Sequence, residues 1–189
     1  MSHSIASASE LLLENIALFD STIGDHGVLD LACGNGRNGL LLLQNNIAVI
    51  FADNNRAALD EVECSAELLK RENSLTASYE AWEVDLEQEG TNPLDGKHYG
   101  AVLVFNYLHR PLLPAIKQVI TQAGLIFYET FTVHQPKFGR PLNPDYLLKE
   151  NELLDAFEGW EVIDYFEGVK PDPERAVASL IARKQSPDG

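Results

Sequence analysis

Three acids and one glycine turn are the residues of this chain best placed to hold a ligand. In Val28-Leu-Asp-Leu-Ala-Cys-Gly-Asn-Gly-Arg-Asn-Gly39, an apolar run carrying Asp30 enters the turn Ala32, Cys33, Gly34, Asn35, Gly36, and Leu40 to Leu43 follow. Gly34 and Gly36 let the backbone bend sharply and come close to a bound molecule. Asp53, in Phe51-Ala-Asp-Asn-Asn55, and Asp85, in Val84-Asp-Leu86, each close another apolar run. A carboxylate accepts two hydrogen bonds at once, so Asp53, with Asn54 beside it, suits the paired hydroxyls of a ribose. Asp85, with the Leu86 backbone, suits the amino group of an adenine.

Two adenosine-bearing ligands compete for this turn. Gly34, Gly36 and Gly39 satisfy the G-x-G-x-x-G spacing that seats a pyrophosphate on a helix N-terminus. Asp30 separates the two, because a carboxylate at that edge repels a pyrophosphate and attracts a cation. S-adenosylmethionine carries an ammonium and a sulfonium and no phosphate, so it is the expected cofactor. A nicotinamide-dependent oxidoreductase is the rival reading. A regulatory protein that binds S-adenosylmethionine without turnover is the third, since no obligatory catalytic acid or nucleophile is visible.

Composition narrows the partners. The 189 residues fit one domain spanning 1–189, and 45% hydrophobic with 23% charged residues is ordinary for a globular chain. With 14 Lys+Arg against 29 Asp+Glu, the net charge of -15 opposes attraction to nucleic acid or anionic lipid. No apolar stretch is long enough to cross a bilayer, no metal-ligand spacing appears, and only Cys33 and Cys64 are present. A cytoplasmic protein with a small-molecule substrate is expected, with Cys33 a packing residue.

The positioning elements alternate. Apolar strand-like runs fall at Val28 to Leu31, Ala48 to Ala52, Ala81 to Val84, Ala101 to Phe105 and Leu125 to Tyr128. Helical patterns fall at Glu10 to Phe19, after a loose lead-in Ser2 to Ser9, and at Arg56 to Glu72, Leu112 to Gln122 and Glu152 to Phe157. This is a parallel α/β rhythm with right-handed crossovers. It ends differently: Trp160 to Phe166 and Ala176 to Ala182 have no helix between them, and Glu167 to Arg175 is expected to be a long hairpin loop. Residues from Gln185 are expected to fray. Ligands of such sheets bind outside the strands' carboxyl ends, where Asp30, Asp53 and Asp85 all lie.

The order of these motifs resembles the class I S-adenosylmethionine-dependent methyltransferases. The resemblance implies a Rossmann-like α/β sandwich: a mostly parallel seven-stranded sheet, one strand reversed, a C-terminal antiparallel hairpin, and helices on both faces. It also implies that Asn106, after the fourth strand, meets the methionine end of the cofactor. Asn106-Tyr-Leu-His-Arg-Pro111, Tyr128-Glu-Thr-Phe131 and Phe138-Gly-Arg-Pro-Leu-Asn-Pro144 are similar to a small bacterial subgroup of the tellurite-resistance type. Where that subgroup often has Pro-Gly-Gly before the fifth strand, this chain has Gln122-Ala-Gly124.

Methyl transfer to a small molecule is the reaction implied, and alignment of the reacting atoms supplies much of its acceleration. His109 or Tyr107 is the candidate base for a protic acceptor. Arg140 is the candidate two-pronged partner for an anionic acceptor, with His109, Arg110, His134 and Lys137 making its edge locally positive. Glu129 is expected either to fix Arg110 or Arg140, or to recognise a cationic acceptor. Thr132 to Tyr146, rich in turn residues, is long enough to be a lid.

Overall fold

The computed structural model describes residues 8–19 and 26–185. Five parallel strands come first: β1 (Val28–Leu31), β2 (Val49–Asp53), β3 (Tyr79–Glu83), β4 (Tyr99–Phe105) and β5 (Ile120–Phe131). A hairpin of β6 (Glu161–Lys170) and β7 (Arg175–Arg183) completes one seven-stranded sheet, in the order β3-β2-β1-β4-β5-β7-β6. β7 runs antiparallel to both of its neighbours, so it is the reversed strand.

Period-two alternation sends successive side chains to opposite faces, and helices cover both. Val28, Phe51, Leu103, Phe127 and Ile181 pack with Leu12 of α1 (Glu10–Glu14), Leu40 and Leu43 of α2 (Arg37–Gln44), and Leu59 and Val62 of α3 (Arg56–Asn73). Leu29, Val102, Ile126 and Leu180 pack the other way, with Ile116 of α4 (Leu113–Val119) and Leu153 of α5 (Glu152–Ala156). Asp30 has the parity of Val28 and therefore lies under α2. Order reverses between β1 and β4, whose carboxyl ends open the crevice.

Three element boundaries differ from expectation. The first helix stops at Glu14, because the Asn15 side-chain Nδ2 donates to Leu11 O at 2.9 Å while its backbone N–H turns to Leu12 O, and a tighter turn, Ile16–Phe19, follows to stack Phe19 on Phe127. The α4 helix ends at Val119, since Val119-Ile120-Thr121 is β-branched and continues directly into β5. The hairpin has no long loop: Glu167 to Lys170 stay paired with Arg175 to Ala178, leaving a turn over 171–174. The lead-in Ser2 to Ser9 and the end from Gln185 lie largely outside the described residues. Among the described residues no helix is long and apolar enough to cross a membrane, and no cluster suits a metal ion.

Candidate functional site

Tight packing forces the glycine turn. Gly36 sits at φ +68°, and a Cβ there would meet Val62 Cγ2 at 2.7 Å, so both conformation and space require glycine. Gly34, at φ +54°, has nothing within 4 Å of a notional Cβ, so it is the backbone conformation and not space that favours glycine there. Asp30 is buried, and its Oδ2 accepts the Gly39 N–H at 2.9 Å, satisfying one orphan donor of the first turn of α2. Burial pushes the Asp30 carboxyl up to about 7, against the lowering effect of that hydrogen bond. Burial also raises the Cys33 thiol, with Asp30 and Asp53 adding to it, so Cys33 is no ready nucleophile.

Asp53 ties the turn to β2. Its Oδ2 accepts the Gly34 N–H at 2.7 Å and its Oδ1 the Asn55 N–H at 2.9 Å, while each oxygen keeps a further lone pair. Beyond it lies a cleft of about 220 Å³ lined by Ala32, Asp53, Asn54, Val84, Asp85, Leu86, Glu87 and Tyr107. Asp85 Oδ1 accepts the Glu87 N–H at 2.9 Å, which shapes the far rim. Three carboxylates and no Lys or Arg line this cleft, which disfavours a pyrophosphate and suits a hydroxyl-rich, cationic ligand. The enclosed Tyr107 hydroxyl has no well-formed hydrogen bond to a described residue. Burial, then the Glu87 carboxylate, raises its pKa, so it is a donor and not a base at neutral pH.

Asn106 begins a second cleft. It holds a left-handed φ of 57° at the end of β4, and its N–H donates to Glu129 O at 2.8 Å. An open groove of about 500 Å³ is lined by Asn106, Phe131, Arg140, Pro141, Leu142, Asn143 and Tyr146. Adjacent residues, Asn106 and Tyr107, thus line the two clefts.

The sequence matches the family described as Tellurite resistance protein TehB over residues 15–172. The chain belongs to the TehB family. The crystal structure of TehB from Haemophilus influenzae superposes with a TM-score of 0.76 at 20% identity, covering 96% of this chain and 64% of that one. This chain therefore spans under two thirds of that relative's length. Magnesium protoporphyrin IX methyltransferase (ChlM) from Synechocystis PCC 6803, with bound S-adenosylhomocysteine, gives 0.67 at 14% identity over 93% and 80% of the two chains. Coclaurine N-methyltransferase, bound to N-methylheliamine and S-adenosylhomocysteine, gives 0.62 at 16% over 92% and 71%. No curated protein sequence matches. The fold is that of the class I S-adenosylmethionine-dependent methyltransferases.

In this TehB-family chain the basic residues expected at one edge are not brought together. The Arg110 Nε and Nη2 donate to Glu152 at 2.6 and 2.8 Å, and its guanidinium also donates to Asp145 O and Leu147 O, so it staples the connector to α5. Glu129 fixes neither arginine; its buried carboxylate pairs with Lys170 at 2.6 Å. His134 and Lys137 line a third cavity of about 610 Å³ with Glu150 and Glu167. His109 is half-buried and lines none of these three cavities. Arg140 alone of the group lines the second cleft, and it makes no ion pair among the described residues.

Sequence reasoning passed over Val84, Glu87, Phe131, Leu142 and Tyr146 as lining residues. Glu87 had a signal, an acid two residues past Asp85. Tyr146 had one in its aromatic type within a turn-rich connector. Lys170 had none, because its partner lies 41 residues away.

Proposed function

We propose that this TehB-family chain, as one domain, transfers a methyl group from S-adenosylmethionine to a small-molecule acceptor. The single observation carrying this is the first cleft: it opens beside the glycine turn at Ala32, is rimmed by Asp53, Asp85 and Glu87, and has no lining cation. That donor set fits an adenosine bearing a sulfonium and an ammonium, and it works against a dinucleotide. Similar structures that hold S-adenosylhomocysteine support the same reading.

Asp53 accepts the ribose hydroxyls with its spare lone pairs, and Asp85 with the Leu86 backbone takes the adenine amino group. Tyr107 lines the same cleft, its hydroxyl a donor once the ring turns toward the ligand. The turn from Ala32 to Gly36, with Asn35 and Asn54 at its edges, frames the methionine portion. Asp30 holds the turn's shape through Gly39, and its negative form is favoured by a neighbouring cation. Asn106 sits between the two clefts, at the methionine end. When bound, the cofactor would supply an electrophilic methyl on a sulfonium sulfur, which would leave as a neutral thioether. The chain's task is alignment and exclusion of water. Arg140 holds an anionic acceptor, and His109, which lines neither cleft, takes no step. Thr132 to Tyr146, anchored at Thr132 and Leu148, closes over both.

Calorimetric titration with S-adenosylmethionine, S-adenosylhomocysteine and NAD tests the cofactor. Saturable binding of the first two and none of the third is expected, and the reverse pattern overturns the proposal. Appearance of S-adenosylhomocysteine over a panel of acceptors then separates an enzyme from a binding protein.

A further inference from the structure

We infer that the cleft at Asn106 and Arg140 takes an acceptor with an apolar body and a planar carboxylate, rather than a small inorganic oxyanion. The word acceptor rests on the methyl-transfer reading; the ligand class rests on the cleft itself. Phe131, Pro141, Leu142 and Tyr146 form its walls, and Leu142 is 63% and Tyr146 50% exposed. Apolar side chains gathered on one concave wall mark a surface that something apolar covers. At about 500 Å³ the space is of the size that houses an organic molecule.

Charge fixes the other end of the ligand. Acids outnumber bases 29 to 14, yet the Arg140 guanidinium pairs with no carboxylate among the described residues, and no acid lines this cleft. Its planar fork matches a carboxylate in a two-pronged pair. The other polar linings are the amides of Asn106 and Asn143 and the Tyr146 hydroxyl, and Asn143 Oδ1 accepts the Asp145 N–H at 3.0 Å. A compact, strongly hydrated oxyanion needs donors on every side to replace its water, and Phe131, Pro141 and Leu142 leave hydrocarbon on part of this lining.

The test is ligand-observed NMR and calorimetry on the full chain with S-adenosylhomocysteine present. The probes are phenylacetate, 3-phenylpropionate, indole-3-acetate and octanoate, their primary amides, and inorganic phosphate and sulfate. At least one apolar carboxylate is expected to bind about tenfold more tightly than its amide. Arg140→Gln should abolish that preference. Leu142→Ser with Tyr146→Ser should weaken the carboxylates about tenfold while circular dichroism stays unchanged. The inference is overturned if no carboxylate binds, if phosphate or sulfate binds as tightly as the best of them, or if Arg140→Gln leaves the preference intact. The same probes are titrated without S-adenosylhomocysteine: loss of cofactor binding alone sinks the methyl-transfer reading, and Arg140-dependent carboxylate binding still upholds this one.

Discussion

Replacing Gly39 by alanine sets two effects of opposite sign against each other. Inside a helix the exchange gains about 1 kcal/mol from propensity. Here the new Cβ would stand 2.3 Å from Phe51 Cε1 and 2.8 Å from Asp30 Oδ2. Phe51 is fully buried in β2 and cannot swing away, so the turn or the ring must shift, at about 1 to 3 kcal/mol for such overpacking. Displacing Asp30 from the Gly39 N–H removes a buried hydrogen bond worth on the order of 1 to 3 kcal/mol more. The clash wins, with a net loss of about 2 kcal/mol, which lowers the melting temperature by about 4 to 8 °C in a chain of this size. Urea and thermal unfolding read the stability, and calorimetry with S-adenosylhomocysteine reads the turn, whose distortion should weaken binding. In the double variant Gly39→Ala with Phe51→Leu, removal of the ring edge should leave a loss at least about 1 kcal/mol smaller than the sum of the two single ones. A Gly39→Ala variant that melts at or above the parent, or strict additivity with Phe51→Leu, refutes the reasoning.

Asp30→Asn should flatten the pH dependence of stability. The folded carboxyl lies near 7, above its unfolded value, so its contribution is full below about pH 4 and is lost as pH rises to about 7. The neutral amide escapes that loss, on the order of 4 kcal/mol at 1.36 kcal/mol per pH unit, and urea unfolding from pH 4.5 to 8 should show the variant gaining on the parent throughout that window. Glu152→Gln should act at the other end. Arg110 lowers the Glu152 pKa chiefly through their hydrogen bond, so that stability is present above the ordinary glutamate value of about 4.3 and fades as pH falls below it. With Arg110 partly solvent-screened, the loss at pH 7 should be about 1 to 2 kcal/mol, closing in acid; an equal gap at pH 3 and pH 7 counts against the pair. Tyr107→Phe should weaken S-adenosylhomocysteine about fivefold to tenfold, for one hydrogen bond of about 1 kcal/mol, without changing the pH profile of turnover. An altered profile would return Tyr107 to the role of base.

What could be read from the chain was whatever period and neighbourhood decide. Strands β1, β2 and β4 are largely apolar on both faces, so their runs stood out, and Asp30 within β1, Asp53 ending β2 and Asp85 after β3 marked the crevice end without any knowledge of pairing. Boundaries failed where a local signal had two outlets: Val119-Ile120-Thr121 could continue a helix pattern or start a strand, and the β4 register decided for the strand. Glycine and prolines in Glu167 to Arg175 suggested a loop, yet Gly168 tolerates a ladder position and the prolines sit in the turn itself.

The acceptor edge was harder for a different reason. Proximity in sequence gathered Arg110, His134, Lys137 and Arg140 into one imagined patch, but a cation's job depends on which carboxylate reaches it in space. Glu152 lies 42 residues from Arg110, and Lys170 lies 41 from Glu129; both pairs close through the sheet and its crossing connector. Once those partners are counted, Arg140 is the cation of that group left facing an open cleft with no acid to neutralise it.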